Sequence, residues 1–239
     1  MSACPGCDCR TPLNFGIKMA FQPIVDASQK NVFAYEENGE GAGEVLGRVT
    51  EETKYTFDQS CRVKAIETAS RIELPSKLSI NFMPNAIYEP ETCLAKTLST
   101  ARKTGFDKKN IIFEVTEQEK VVSQDFLVDV FEAYRKEGFM TAIDDFGAGH
   151  SGLNLLSDFQ PDIIKIDMKL IRDIDSNKVN QVLVKGILDI AEQLGIRIIA
   201  EGIETENEFK YLQDAGVSLM QGYFFQKPML EAIQPVVFR

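Results

Sequence analysis

The sequence predicts an α/β fold, a (β/α)8 TIM-type barrel in which the first two strands are antiparallel. Short apolar stretches recur along the 239-residue chain, and most are separated by segments with helical periodicity. The length also suits one barrel, which typically has about 250 residues. Eight stretches are predicted to be strands: Met19–Val25, Val32–Tyr35, Leu78–Phe82, Ile111–Val115, Met140–Ile143, Ile163–Ile166, Ile196–Ala200 and Val217–Met220.

The intervening helices and the first connection set the strand directions. A helix between two strands carries the chain back, so the following strand runs parallel to the preceding one. Only six residues, 26–31, separate the first two strands, too few for a crossover helix, so these strands are expected to pair antiparallel. The predicted helices are Asp58–Ile72, Glu91–Lys103, Gln124–Lys136, Lys178–Leu194 and Glu204–Asp214.

The domain organisation is predicted to be simple. Residues 1–18 are interpreted as a short cysteine-containing tail, and residues 19–239 as one barrel domain without internal repeats. No run of 18 apolar residues predicts a transmembrane helix. The first ten residues lack the apolar core of a secretory signal, so a cytoplasmic location is expected, with no membrane partner.

Net charge limits the partners that the chain can have. The formal charge is −10, from 36 acidic and 26 basic residues, and no basic patch is evident. Binding of a nucleic-acid polymer is therefore not expected, because its phosphates would be repelled. A single phosphodiester can still be bound if metal ions lie between it and the protein.

The five cysteines do not indicate a disulfide framework, because the number is odd and no secretory signal is evident. Cys4, Cys7 and Cys9 form a cluster that could be a weak soft-metal site. A structural zinc normally takes four ligands, and no second Cys or His pair is near, so a reduced flexible tail is the alternative.

Polar side chains interrupt the apolar strands close to their C-terminal ends. In a barrel these ends converge on one mouth, where active sites lie. Several carboxylates at one mouth would repel each other and would be costly to bury, and bound cations relieve both effects. The residues at these positions are Gln22, Glu36, Asn81, Glu114, Asp144, Asp145, Lys165, Glu201 and Gln221.

The donor types point to hard metal ions. Carboxylate and amide oxygens without His or Cys favour magnesium, manganese or calcium over zinc, and a pair of such ions can hold a phosphodiester and ionise a water molecule. The only histidine, His150, lies in a glycine-rich loop, so nucleophilic hydrolase chemistry of the Ser-His or Cys-His kind is weakly supported. No P-loop or dinucleotide-binding fingerprint is present.

Seven motifs in order resemble the EAL family of cyclic di-GMP phosphodiesterases. The resemblance covers about residues 19 to 230 and implies metal-dependent hydrolysis of cyclic di-GMP to linear pGpG by a homodimer. It also implies one or two Mg²⁺ or Mn²⁺ ions, with Ca²⁺ inhibitory. The matching motifs are Phe21–Val25, Ser79–Phe82, Phe113–Glu117, Asp144–Leu153, Lys165–Asp167, Ala200–Thr205 and Gln221–Phe224.

The same resemblance implies roles for individual residues. Lys165 and Glu201 would position and deprotonate the attacking water. Glu117 would brace the loop that begins at Asp144, a loop that members use to organise metal and dimer. The implied metal ligands are Glu36, Asn81, Glu114, Asp144 and Asp145, and the implied contacts to the metal–water cluster or substrate are Gln22, Glu204 and Gln221.

One departure from the family pattern follows Glu36. Family members continue Glu-Ala-Leu-x-Arg, and the arginine contacts a substrate phosphate, whereas this chain continues with Glu37 and Asn38. About five residues are missing relative to that pattern. Either the segment is truly absent and the protein is a weak or inactive enzyme that acts as a cyclic di-GMP receptor, or the printed sequence omits residues that the natural protein has. An unrelated metal-dependent barrel hydrolase is the third alternative.

Overall fold

The computed structural model describes residues 11–39, 45–87, 89–117, 123–149 and 152–238. The strands in this part of the chain are β1 (Met19–Asp26), β2 (Asn31–Gly39), β3 (Lys77–Asn81), β4 (Ile111–Thr116), β5 (Met140–Phe146), β6 (Ile163–Ile166), β7 (Arg197–Ala200), β8 (Leu219–Gln221) and β9 (Met229–Leu230). The α-helices are α1 (Lys54–Arg71), α2 (Pro90–Thr104), α3 (Gln124–Lys136), α4 (Gly152–Asp158), α5 (Met168–Ile171), α6 (Lys178–Leu194) and α7 (Glu206–Asp214).

The sheet closes into a barrel. Strands β2 to β8 lie side by side in chain order and are parallel. Strand β1 closes the ring by pairing antiparallel with both β2 and β8. The predicted fold class and the antiparallel first pair are therefore confirmed. The register opposes Gln22 to Glu36, which places these two side chains beside each other.

The interior of the barrel is filled by side chains. An apolar layer inside the strands excludes water from the axis, as in other barrels of this kind. Its buried members are Ile24, Ala34, Ile112, Ala142, Ile163, Ile199 and Leu219. A second, larger core lies between the strands and the helices, and is rich in aromatic rings that pack edge-on or tilted, such as Phe82 against Phe113.

One ion pair is enclosed in this outer core. Arg62 and Asp58 lie one helical turn apart on α1, and both side chains are almost fully buried. The guanidinium also donates a hydrogen bond to the Tyr134 hydroxyl at 3.0 Å, and the backbone N–H of Met83 donates to Asp58 at 2.9 Å. Because each partner compensates the charge of the other, α1 is fixed to both α3 and the end of β3.

Element boundaries differ from the sequence predictions in several places. Strand β2 does not end at Tyr35 or Glu36 but continues to Gly39. Helix α7 begins at Glu206 and not at Glu204, because Thr205 caps it in a capping box with Glu208. Helices α4 and α5 and strand β9 were not predicted, because such short elements carry almost no periodicity.

Part of the predicted tail packs on the barrel. The Phe15 ring lies 6.4 Å from that of Phe57, and Ile17 packs against the outer core. Cys4, Cys7 and Cys9 lie outside the described residues. Among the helices that the structure describes, none is both long and apolar enough to cross a membrane.

Candidate functional site

The C-terminal ends of the barrel strands gather most of the predicted site residues. Asn81 ends β3, Glu114 lies in β4, Asp144 in β5 and Lys165 in β6, and Glu201 follows β7 directly. Adjacent strands bring these positions into register, since Asn81 pairs with Glu114 and Thr116 with Asp144. The side chains meet because all of these strands run in one direction and end at the same mouth.

Lys165 is the hub of the cluster. Its side chain is 1% exposed, and its ammonium nitrogen lies within salt-bridge distance of carboxylates from four strands or strand ends. The Nζ–oxygen distances are 3.2 Å to Glu36, 3.2 Å to Glu114, 3.1 Å to Asp144 and 2.7 Å to Glu201. One ammonium group therefore neutralises only part of the charge of four carboxylates. The carboxylate of Asp145 lies close to those of Asp144 and Glu201 and is a fifth.

The electrostatics of the cluster reflect this excess of negative charge. Burial raises the pKa of Glu114 to about 8, and Lys165 offsets that effect only in part. Burial raises the pKa of Asp145 to about 6, with a further contribution from Asp144. Burial likewise raises the pKa of Glu201 well above its ordinary value. Each shift means that the ionised carboxylate is disfavoured until more positive charge arrives.

The pKa of Lys165 moves in the opposite direction from that expected for a buried lysine. Burial alone would lower it, but the charges of Asp144, Glu114 and two further carboxylates raise it well above its ordinary value. Lys165 is therefore a fixed positive charge at neutral pH and cannot act as a base there.

A break in the regularity of β5 brings two consecutive aspartates to the mouth. In a regular strand, Asp144 and Asp145 would point to opposite faces. The pairing of β5 with β6 shifts between Ile143 and Phe146, and Asp145 has a left-handed φ of 55°. Such a bulge redirects a side chain, and a left-handed non-glycine residue is a strained feature typical of functional sites.

The donor set fits divalent metal ions. Carboxylate oxygens of Glu36, Glu114 and Asp144 lie within 4.8 Å of one another, and so do those of Asp144, Asp145 and Glu201. The buried Oε1 atom of Glu114 has no hydrogen-bond partner among the described residues. Two overlapping groups of hard oxygen donors that share Asp144 suit one or two ions such as Mg²⁺ or Mn²⁺.

An amide network holds Glu36 on the opposite side of the mouth. The Gln221 side-chain amide donates to Glu36 Oε2 at 2.6 Å and to Gln22 Oε1 at 3.2 Å. The Asn81 amide donates to Glu36 Oε1 at 3.4 Å. Gln22 in turn donates to the backbone carbonyl of Gln226 at 3.1 Å. Strands β8, β1, β2 and β3 are thus linked across the closure of the barrel.

Glu117 contacts the loop that follows β5. Its Oε2 atom accepts hydrogen bonds from the backbone N–H groups of Gly147, at 2.8 Å, and Gly149, at 3.2 Å. A Cβ atom on Gly149 would lie only 3.0 Å from the Glu117 carboxyl carbon, so the loop approaches this side chain closely. These contacts are those that a bracing role requires. His150 lies outside the described residues.

Glu204 lies at the rim and not in the cluster. Its carboxylate pairs with Arg172 at 2.8 Å and its side chain is about half exposed. It nonetheless lines a cleft of about 250 Å³ at the mouth, next to Tyr223 and Met168. The other residues that line this cleft are Gln22, Glu36, Asp145, Glu201, Gly202, Gln221 and Gly222.

Three supporting residues lie within the matching motifs, but the sequence analysis gave them no role of their own. The Ser79 hydroxyl donates to Glu114 at 2.7 Å, and the Thr116 hydroxyl donates to Asp145 at 3.0 Å. Asp167 is buried and contributes to the raised pKa of Asp145. Ser79 and Thr116 each lie two residues from a predicted ligand on the same strand, so the alternation of strand faces was the available signal.

Fold and site together define a (β/α)8-type barrel with a carboxylate-lined mouth. The EAL domain family matches residues 43–228, which begin after β2 and include strands β3 to β8. This chain belongs to the EAL domain family.

Two solved structures show the same architecture. A standalone versatile EAL protein from Vibrio cholerae O395, in its c-di-GMP-bound form, is 49% identical with a TM-score of 0.91, over 95% of this chain and 98% of that one. BlrP1 from Klebsiella pneumoniae, in a manganese and cyclic di-GMP complex at pH 6, is 33% identical with a TM-score of 0.86, over 95% of this chain and 59% of that one.

The curated relatives are longer proteins. The blue light- and temperature-regulated antirepressor BluF of Escherichia coli is 31% identical over 92% of this chain and 56% of its own length. The cyclic di-GMP phosphodiesterase PdeR of the same species is 34% identical over 56% of this chain and 21% of its own length. This chain thus spans about half, or less, of the length of these two relatives.

Proposed function

We propose that this chain is a metal-dependent phosphodiesterase that hydrolyses cyclic di-GMP to linear pGpG. The observation that carries the proposal is the convergence of Glu36, Glu114, Asp144 and Glu201 on Lys165 at the barrel mouth. The proposal is supported by the name of the PdeR relative and by the cyclic di-GMP bound in two related structures. Cations between the carboxylates and the phosphodiester would favour binding of such a ligand by this acidic protein.

The carboxylates and Asn81 are proposed to hold one or two Mg²⁺ or Mn²⁺ ions. Glu36, Asn81, Glu114 and Asp144 would bind the first ion, and Asp145 would help to hold the second. When bound, the metal supplies Lewis acidity toward a phosphodiester oxygen and acidifies a bound water. Manganese and calcium accompany the ligand in BlrP1 structures, which supports the choice of a hard ion, and Ca²⁺ is proposed to inhibit.

Glu201 and Lys165 are proposed to act directly on the attacking water. Glu201 is the candidate general base, because its raised pKa makes its carboxylate a stronger proton acceptor than an ordinary glutamate. Lys165, 2.7 Å away, would orient that water and hold the Glu201 carboxylate in place. Gln22, Gln221 and Glu204 would contact the substrate or the metal-bound waters around the cleft.

A second function is favoured by one specific observation. After Glu36 the sequence lacks the Ala-Leu-x-Arg segment of the family, and β2 continues into Glu37, so the arginine position of that motif has no counterpart in the sequence. The longer BluF relative carries the name of an antirepressor and not of an enzyme. The alternative proposal is a cyclic di-GMP receptor with weak or no hydrolysis. The intact mass of the natural protein distinguishes a true deletion from omitted residues.

The deciding experiment is turnover of cyclic di-GMP by purified protein with Mg²⁺ or Mn²⁺, followed by chromatographic separation of pGpG. Metal-dependent conversion that EDTA abolishes supports the enzyme. Binding of cyclic di-GMP in calorimetry without conversion supports the receptor. Absence of both binding and conversion contradicts both proposals.

The chain is further proposed to act in the cytoplasm as a homodimer, and residues 19–239 are proposed to form a single barrel domain with residues 1–18 as a tail. The homodimer is implied by the family resemblance near the loop 144–153. Sedimentation velocity of the purified chain tests the dimer independently of any activity.

A further inference from the structure

Glu208 is a buried carboxylate to which the proposed reaction assigns no role. Its side chain is 1% exposed, and it lies in the first turn of α7. The Oε2 atom accepts hydrogen bonds from the backbone N–H groups of Glu204, at 2.9 Å, and Thr205, at 3.0 Å. The Oε1 atom accepts one from the backbone N–H of Asp173, at 3.1 Å. Backbone donors from two separate loops therefore meet at one side chain.

The two loops that this carboxylate holds are those that follow the strands of Lys165 and Glu201. Asp173 lies in the segment after β6 and α5, and Glu204 lies in the segment after β7. Only residues 202 and 203 separate Glu201 from Glu204. A displacement of this short segment would therefore move the Glu201 carboxylate relative to Lys165.

The charge of Glu208 suits this contact. Burial alone would raise its pKa, but the hydrogen bonds from the backbone N–H groups outweigh that effect and lower it. An ionised carboxylate accepts such bonds more strongly than a neutral group does. Arg172, which directly follows α5, adds a second link between the loops. Its guanidinium pairs with Glu204 at 2.8 Å and approaches the Glu208 carboxylate at 3.7 Å.

The loop after β7 is also packed closely between its two neighbours. Gly202 has a left-handed φ of 70°, and a Cβ atom there would clash with Met168 in α5. On the other side, the backbone N–H of Ile203 donates to the carbonyl of Gln221 at 3.1 Å. This segment is therefore bounded on both sides, and the carboxylate on α7 fixes its far end.

We propose that Glu208 is a positioning residue for Glu201. By linking the loop after β7 to the loop after β6, it keeps the Glu201 carboxylate in place beside Lys165. Glu208 is not one of the described residues that line the cleft, so its effect passes through the backbone. A misplacement of about 1 Å caused by a change far from the chemistry can lower a rate by about 100-fold. The inference rests on the proposed hydrolysis and adds a residue to it.

The first experiment compares Glu208→Ala with Thr205→Ala in turnover of cyclic di-GMP. Both substitutions remove part of the capping box of α7, since the Thr205 hydroxyl accepts from the backbone N–H of Glu208 at 3.2 Å. Only Glu208→Ala removes the link between the two loops. It should lower kcat by about 10- to 100-fold with a smaller change in KM, whereas Thr205→Ala should keep most of the activity.

Glu208→Gln is the conservative variant, and it guards against a general loss of folding. Its one amide oxygen can still accept from one of the two loops, so it should recover part of the activity that Glu208→Ala loses. Equal losses in Glu208→Ala and Thr205→Ala would reduce Glu208 to a helix cap and overturn the inference.

A second comparison uses Glu201→Gln as the background. If Glu208 acts through Glu201, then adding Glu208→Ala should lower the residual turnover by no more than about twofold, because the effects of coupled residues do not add. A further loss as large as that in the wild-type background would indicate general structural damage and would overturn the positioning role.

Backbone hydrogen exchange measured by NMR gives a readout that needs no turnover. The amide of Asp173 should exchange faster in Glu208→Ala and at the wild-type rate in Thr205→Ala. Unchanged exchange in Glu208→Ala would overturn the link between the loops. Absence of turnover in the wild type would contradict the proposed hydrolysis and the positioning role together, whereas normal turnover by Glu208→Ala would overturn the positioning role alone.

Discussion

The Oε1 atom of Glu201 lies 2.7 Å from the ammonium nitrogen of Lys165. The two side chains come from neighbouring strands, since Lys165 lies in β6 and Glu201 directly follows β7. The Nζ–Oε1 distance to Glu201 is the shortest of the four carboxylate contacts that Lys165 makes. The positive charge of Lys165 favours the ionised form of Glu201, which is the form that the proposed base requires.

Replacement of Glu201 by Gln should lower turnover by about 100- to 10,000-fold, the range typical of a lost general base. The substitution removes a proton acceptor and almost no volume, so the fold should persist. Steady-state pGpG formation and circular dichroism provide the measurement. Glu132→Gln, an exposed position on α3, is the matched control. Retention of most activity in Glu201→Gln would contradict the assigned base.

Lys165→Ala should reduce turnover while metal binding remains. The lysine is not among the proposed metal ligands, and its removal leaves the oxygen donors in place. Without metal, the variant should also be less stable, because loss of one partner of a buried ion pair typically costs roughly 3–5 kcal/mol. Chemical unfolding in EDTA and with saturating Mn²⁺ tests this. Equal destabilisation in both conditions would argue against a cation that replaces the lysine charge.

Asp144→Asn should weaken Mn²⁺ binding, because Asp144 is shared by both groups of oxygen donors. Calorimetric titration of the metal-free protein gives the affinity directly. Asp129→Asn, at an exposed position of α3, should bind Mn²⁺ like the wild type. A normal affinity in Asp144→Asn would rule out its proposed role.

The metal-free protein should lose stability as pH rises from about 4.5 to 8. Glu114 has a folded-state pKa of about 8, raised mainly by burial, whereas the unfolded chain titrates near its ordinary value. The folded state therefore holds more protons in this interval, and stability falls with pH. Lys165 does not oppose this, because its raised pKa acts only at higher pH. Thermal unfolding in EDTA at pH 5.5 and 8 provides the test, and a higher melting temperature at pH 8 would refute it.

Glu37→Gln should stabilise the protein near neutral pH. Glu37 is 5% exposed, and burial together with the charges of Glu114 and Glu36 raises its pKa well above its ordinary value. Its neighbours on α1 include Asp58, which adds a further negative charge. Glutamine keeps the shape without the buried charge, so the melting temperature should rise, and should rise more at pH 8 than at pH 5.5. A lower melting temperature at both pH values would show that the carboxylate is needed.

Apolar periodicity predicted most of the strands and helices. The features that it did not predict depend on the local backbone geometry of single residues. Strand β1 and helix α6 were placed within one residue, because each has a long, regular pattern. The bulge at Asp144 and Asp145 was not predictable, since consecutive carboxylates on a strand give no sign of which one changes face. The burial of Glu37 was missed for a similar reason. In the sequence Glu37 is interpreted as a loop residue, but strand β2 extends through it. Because successive side chains of a strand point to opposite faces, Glu37 points away from Glu36 and toward α1.

The apolar layer inside the barrel limits the paths by which water, protons and ligand can reach the carboxylate cluster. Beneath the carboxylate cluster, buried apolar residues such as Ile112, Ile163 and Ile199 fill the described part of the barrel interior. In the proposed reaction, a proton released at Glu201 and the product would leave through the opening by which the ligand enters. Reactant, product and proton would then share one passage, and a partner that covered this opening would control all three at once.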